Sequence, residues 1–142
     1  MIYGVLLQNV KNDTRISMWY YDFTKEEKKS IADRIHDEII SRDLLWVNFL
    51  DLDGRKVVYR KYAGVIISIY ADREDNTLAY HELIQLIVEI LDAFYGNVSE
   101  LDVVCNYNTV HNMLNELILA GELLETSKEN VLDRLKATYR LN

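Results

Sequence analysis

The sequence predicts a single α+β domain over residues 1–142, in which helices pack on an antiparallel sheet. Segments rich in β-branched and aromatic residues occur near the start and again in the middle of the chain. Stretches with apolar residues at intervals of three and four, typical of amphipathic helices, follow each group. The predicted order is two strands, a helix, three strands and several helices. That order folds most simply as one sheet covered by helices.

The first two strands and the first helix are predicted by turn and capping signals. The segments YGVLLQN and TRISMWYYDF are separated by the turn-forming VKND, which indicates a hairpin. Thr24 and Glu27 have the spacing of a capping box, and isoleucines follow every four residues up to Ile39. We therefore expect a helix from about Thr24 to Ser41.

Three strands are predicted in the middle of the chain, within WVNFLDL and KVVYRKYAGVIISIYA. Asp-Gly in DLDG is a strong hairpin signal, and Gly64 offers a bend or bulge between the second and third of these strands. DLDG is not a calcium loop, because an EF-hand needs its glycine at the sixth position and here it stands fourth. Val65, Ile67 and Ile69 are predicted to lie on a central strand that contacts helix side chains.

Further helices are predicted in the last part of the chain. Apolar residues recur at three and four from Asn76 to Gly96, where glycine is a natural helix stop. Another helix is expected within ELDVVCNYNTVHNMLNELILAGE, where the apolar spacing ends at Ala120-Gly121, and a last one after the capping box formed by Thr126 and Glu129.

Composition narrows the possible partners and compartments. The chain carries 16 Lys and Arg against 23 Asp and Glu, a formal charge of -7, which repels nucleic acid and anionic lipid and argues against both as direct partners. Cys105 is the single cysteine and cannot form an internal disulfide, and the first residues do not resemble a secretion signal. The apolar runs are shorter than the roughly 18 residues of a membrane span. We expect a cytosolic or nuclear protein.

Catalytic patterns are weak. His36, His81 and His111 are scattered and lack the spacing of a zinc site, and Cys105 has no thiolate partner that the sequence identifies. The chain has neither a phosphate-binding glycine loop nor a Gly-x-Ser-x-Gly motif. We therefore predict that the protein is not an enzyme and requires no metal or cofactor, although folding could still bring carboxylates together.

Four motifs in order resemble the sigma, or small, subunit of the heterotetrameric clathrin adaptors. They are TRISMWY, RKYAG, GNVSELDVV and LAGELLETSKENVL, and the similarity runs along the whole chain. The small chain of the plasma-membrane adaptor fits best, with that of the trans-Golgi adaptor close behind. IISIY and VVCNYNTVH depart from the more phenylalanine-rich family pattern and place Ser68 and Cys105 within them.

The resemblance implies a longin-type fold, a five-stranded antiparallel sheet between helices, and a role without catalysis. Such a subunit packs against a large adaptor chain within a heterotetramer and helps select transmembrane cargo. It works in the cytoplasm, on coated pits and vesicles, and meets clathrin and membrane only through the complex. The alternatives are a trans-Golgi adaptor or coatomer small chain, or another longin-type trafficking module.

The resemblance also implies a binding site for the acidic dileucine signal, an acidic residue, three others, then Leu followed by Leu or Ile. Arg15 matches the basic residue that faces the acidic position. The remaining matching positions form the expected pocket: Ala63, Val65, Val88, Asn97, Val98, Leu101 and Val103.

Each of these residues also has an ordinary structural interpretation. The valines and Leu101 could simply pack in the core, and Arg15 could be a solvated strand charge or a contact to the large chain. Arg60 and Lys61 could hold an acidic chain or signal, or could form a polar strand end, and Tyr62 is expected to pack. We expect Arg15 to point outward.

Overall fold

The computed structural model describes residues 1–42, 49–62, 64–95, 107–119 and 122–123. Within them it contains a larger and a smaller antiparallel sheet and three helices. The elements in chain order are β1 Ile2–Asn9, β2 Thr14–Trp19, α1 Lys25–Ile40, β3 Phe49–Leu52, β4 Arg55–Tyr62, β5 Val65–Asp72, α2 Thr77–Tyr95, α3 Tyr107–Leu117, β6 Ile118–Leu119 and β7 Glu122–Leu123.

The larger sheet has five strands in the order β2-β1-β5-β4-β3, and every neighbouring pair is antiparallel. Strand β5 lies at its centre, and its residues from Val65 to Ala71 are all buried. The predicted α+β fold with a five-stranded antiparallel sheet between helices is confirmed. The edges of this sheet are β2 and the short strand β3.

Helices cover both faces of the sheet, which explains the continuous apolar runs of β1 and β5. On β1, Leu6 packs in the apolar cluster under α1, whereas Val5 and Leu7 pack in the cluster under α2 and α3. Side chains alternate between the faces of a strand, so a strand buried on both sides reads as uninterrupted apolar sequence. None of the described helices is long and apolar enough to span a bilayer.

The local signals that predicted the first helix and the middle hairpin are realised in the structure. The Thr24 side chain accepts a hydrogen bond from the Glu27 N–H, and the Glu27 side chain accepts one from the Thr24 N–H, each at 3.1 Å. Asp53 and Gly54 have φ values of 52° and 79°, as a two-residue type I′ hairpin requires, and join β3 to β4.

The bend predicted at Gly64 between two strands is a tight hairpin turn, because Tyr62 pairs directly with Val65 and Gly64 has a φ of 83°. One predicted feature differs from the structure. The helix expected to reach Ala120-Gly121 ends at Leu117 as α3, and Ile118–Leu119 then pairs with Glu122–Leu123. Helical spacing alone did not reveal this small hairpin. The last predicted helix, after Thr126, lies outside the described residues.

Candidate functional site

The structure describes three of the eight predicted site residues, namely Arg15, Val65 and Val88. The other five lie outside the described residues: Ala63, Asn97, Val98, Leu101 and Val103. The described part of the site is therefore built from β2, β5 and α2.

Val65 and Val88 belong to the same apolar cluster. Val65 opens β5 and pairs with Asn9 of β1 and Tyr62 of β4, so three strands converge on it. Val88 lies on the face of α2 that packs on the sheet. Only 7% of Val65 and 3% of Val88 is exposed, so both valines are core residues in the chain by itself. Any leucine pocket at this position must border the core rather than stand apart from it.

Arg15 lies at an irregularity in the edge strand. Leu7 pairs with Ile16 and Gln8 pairs with Thr14, so Arg15 is the extra residue of a β-bulge. A bulge breaks the regular alternation and redirects the side chain, and bulges are common beside functional sites. Arg15 is exposed, with 35% of its side chain accessible, as predicted.

The Arg15 guanidinium has an acidic neighbour in the same turn. Its Nη2 lies 3.7 Å from the Asp13 Oδ2. The amide of Asn9 donates to that same carboxylate at 3.0 Å, while the Asn9 Oδ1 accepts from the Asp13 N–H at 2.8 Å. Asp13 is thus held firmly beside Arg15. An acidic ligand would have to share or replace this partner.

The strand register places Arg15 and Val65 at the same end of the sheet. Arg15 stands beside the end of β1, where Asn9 pairs with Val65 of β5. Two strand spacings separate β2 from β5, which corresponds to about 10 Å. An extended peptide of a few residues spans that distance. The predicted basic and apolar positions are therefore close enough to serve one ligand.

A hydrogen bond that the sequence did not reveal braces this end of the sheet. The Tyr62 hydroxyl donates to the Asp92 Oδ2 at 2.5 Å, which raises the pKa of Tyr62 above its usual value. Asp92 follows Val88 by one helical turn, and the Tyr62 ring packs against the apolar cluster. Tyr62 is a packing residue, as expected, and in addition it joins β4 to α2. No sequence signal links these two residues.

The two cations that precede Tyr62, Arg60 and Lys61, differ in their contacts. The Arg60 guanidinium donates to the Gln85 side chain on α2 and lies 5.8 Å from the centre of the Tyr62 ring. Lys61 is exposed and forms no ion pair within the part of the chain that the structure describes. Lys61 is therefore better placed than Arg60 to contact an acidic partner.

The histidines form no common site. His36 is buried, and its Nε2 lies 3.0 Å from the Val10 carbonyl oxygen. Burial lowers the pKa of His81. Across the described ranges no group of three His, Cys, Asp or Glu side chains is arranged to hold a metal ion.

Comparisons with known proteins give a consistent result. The family model described as the clathrin adaptor complex small chain matches residues 1–142. The protein named AP-2 complex subunit sigma from Neurospora crassa is 44% identical over 142 residues, 99% of each chain. The protein of that name from Dictyostelium discoideum is 42% identical over 136 residues, 96% of each chain.

Two further comparisons concern a relative from a different adaptor complex and a structure with a similar fold. The AP-1 complex subunit sigma-2 of Dictyostelium discoideum is 41% identical over 128 residues, 90% of this chain and 83% of that protein. A chain in a structure titled a homology model of the full-length AP-3 complex in a stretched open conformation superposes with a TM-score of 0.77. It covers 99% of this chain and 94% of that one at 23% identity, a likeness of fold.

Proposed function

The chain belongs to the clathrin adaptor complex small chain family, and we propose that within such a complex it binds acidic dileucine sorting signals of transmembrane cargo. The family consists of adaptor subunits rather than enzymes. The observation that carries the proposal is the position of Arg15. It is an exposed cation at a bulge, about 10 Å from the valine that begins the central strand.

The apolar half of the signal would bind beside Val65 and Val88. Removing a leucine side chain fully from water is worth roughly 1.5 to 3 kcal/mol, so two leucines can supply a weak and reversible grip. Small residues are needed where the leucines enter, and Ala63 supplies one between β4 and β5 in the sequence. Val98, Leu101 and Val103 would complete the apolar walls, and Asn97 would bond the peptide backbone.

The acidic half of the signal would face Arg15. A guanidinium can hold a carboxylate with two parallel hydrogen bonds, which an ammonium cannot copy. The pair would be exposed, so it is worth only about 0 to 1 kcal/mol. Arg15 would therefore select for the acidic residue more than it would add affinity.

We assign the large adaptor chain and the other subunits of a heterotetramer as partners. Clathrin and membrane would be met only through that complex, on the cytoplasmic side of coated pits and vesicles. The AP-2 sigma relatives are 42% and 44% identical to this chain, against 41% for the AP-1 relative of Dictyostelium discoideum and 36% for the AP-1 complex subunit sigma-2 of Arabidopsis thaliana, which covers 99% of this chain. This supports the plasma-membrane adaptor over the trans-Golgi adaptor, which remains the second candidate.

The experiment measures binding of an acidic dileucine peptide to the assembled complex. Ala63→Asp should fill and charge the pocket, and Val98→Ser should remove apolar contact, so both should weaken the peptide without dissociating the complex. Leu78→Ser is the matched control, because Leu78 is 64% exposed on the first turn of α2. Unchanged affinity in both pocket variants would place the binding site elsewhere.

Co-purification tests the partner separately. Expressed with a large adaptor chain, the protein should be recovered in a stable complex. If it remains a well-behaved monomer at micromolar concentration and binds no large chain, the adaptor assignment is wrong.

A further inference from the structure

A groove of about 730 Å³ runs along the outer edge of β2. The strand forms its floor, α1 contributes one wall through Lys28, Lys29 and Asp33, and α3 contributes His111 and Asn115 on the other side. Because β2 is an edge strand, no further strand of the described sheet occupies this space.

The floor of the groove offers backbone hydrogen bonds. The Tyr20 N–H donates to the Tyr3 carbonyl of β1 at 2.9 Å. Backbone groups alternate in direction along an antiparallel pair, so those of Ser17 and Trp19 point away from β1 and into the groove. Within the described ranges these outward groups have no partner. An open edge of this kind is a template for an added strand.

The charge in the groove favours an acidic occupant. The negative charge of Asp33 is already balanced by neighbouring groups. The Asn12 amide donates to its carboxylate at 3.0 Å, and the Lys29 Nζ lies 3.3 Å away. These bonds, that from Asn12 foremost, lower the pKa of Asp33. Lys28 is half-buried in the wall and forms no ion pair with any described residue. In a chain of charge -7, this wall is a local exception.

We propose that this groove binds the cargo segment immediately upstream of the acidic residue of the dileucine signal, as an added strand antiparallel to β2. The inference rests on the proposed function. The groove begins at Asn12, in the turn before β2, and at Thr14, the residue before Arg15, and continues toward Trp19. A peptide whose acidic residue pairs with Arg15 therefore enters the groove with the residues that precede it.

The helix and strand spacings predict which position of the bound peptide would carry a second acidic residue, facing Lys28. The Gln8 amide donates to the Ala32 carbonyl at 3.2 Å, and Gln8 pairs with Thr14, so Ala32 lies near the start of β2. Lys28 precedes Ala32 by four residues, about 6 Å along the helix axis, which equals roughly two residues of strand. Lys28 thus faces a peptide residue about two positions upstream of the one at Arg15.

The experiment compares two peptides on the assembled complex. The short peptide begins at the acidic residue of the signal, and the long one adds six upstream residues with glutamate two positions before it. The long peptide should bind about five-fold more tightly, the effect of roughly one net hydrogen bond. Ser17→Pro should abolish this advantage, because proline removes an outward N–H that an edge strand does not need for its own pairing. Ser17→Ala keeps the N–H and is the control.

Charge reversal tests the wall. Lys28→Glu should weaken the long peptide by about two- to three-fold and leave the short one unchanged. Lys25→Glu makes the same change of charge on the exposed first turn of α1, outside the groove, and should affect neither peptide. Equal affinities of the two peptides, or an advantage that survives Ser17→Pro, overturn the groove proposal alone. Absence of binding by both peptides overturns the dileucine proposal with it.

Discussion

Arg15→Ser is expected to reduce affinity only for peptides that carry the acidic residue. The Arg15 side chain is 35% accessible, and two unit charges about 4 Å apart in water attract by about 1 kcal/mol. Part of this attraction is offset, because the ligand carboxylate would replace the Asp13 carboxylate, which already lies 3.7 Å from the guanidinium. We therefore expect a coupling energy of about 0.5 kcal/mol, or about a two-fold change in affinity.

The assay is a double-mutant cycle on the assembled complex. It pairs wild type and Arg15→Ser with peptides that carry either the acidic residue or alanine at that position. Asp13→Asn extends the cycle, because the amide oxygen can still accept from the Asn9 amide, which now lies 3.0 Å from the carboxylate. This variant should bind the acidic peptide about two-fold more tightly and the alanine peptide equally. Both effects should shrink at high salt.

Two results would refute this reasoning. A coupling energy indistinguishable from zero at low salt would leave Arg15 as a structural or subunit-facing charge. Weaker binding of the acidic peptide to Asp13→Asn would mean that the carboxylate orients Arg15 for the ligand instead of competing with it.

Three predictions concern stability. Val88→Ala should lower the free energy of unfolding by about 2 kcal/mol in denaturant titrations, because the side chain is 3% exposed, and a loss below about 0.5 kcal/mol would contradict its place in the core. Gly54→Ala should cost about 1 kcal/mol in thermal unfolding through backbone strain alone, since φ is +79° and nothing lies within 4 Å of the new methyl, and Gly54→Asn should cost less. Asn12→Gly keeps the positive φ of 66° but removes the bond that lowers the pKa of Asp33. A lowered carboxyl pKa stabilises the fold above the unfolded-state pKa, and this stability is lost as the pH falls through the folded-state value. The free energy of unfolding of Asn12→Gly should thus fall below that of wild type at neutral pH, and the pH-dependent part of this difference should vanish in strong acid. A difference in the free energy of unfolding that grows on acidification would contradict this.

Local signals in the sequence were sufficient for much of the fold. Asp53-Gly54 and the Thr24 capping box act over a few residues, so the chain within that window determines their geometry. Helix α2 followed from its apolar spacing and its stop near Gly96. The small β6–β7 hairpin was missed because its residues continue the apolar spacing of a helix. Strands of two residues are too short to show the alternating pattern that predicts a strand.

The candidate site was harder to predict because its parts meet through register. The bulge at Arg15 exists only as a mismatch between two strands, Leu7 to Ile16 and Gln8 to Thr14. The bond from Tyr62 to Asp92 joins residues 30 apart in sequence, and the exposure of Lys28 to a groove depends on how α1 packs. The resemblance to adaptor small chains named candidate residues, whereas composition and periodicity alone predicted ordinary core positions for the valines.

Because β1 pairs with β5, a minimum time passes during synthesis before the first strand can be fully paired. Asn9 ends the first strand, but its neighbour on the inner side is complete only when Asp72 has been added, 63 residues later by the numbering. At about 5 to 20 residues per second this interval lasts roughly 3 to 13 seconds. Until then the β1–β2 hairpin is a two-stranded ribbon with apolar side chains on both faces of β1, too small to be stable alone. The nascent hairpin therefore exposes an apolar surface that can aggregate or that a ribosome-associated chaperone can bind.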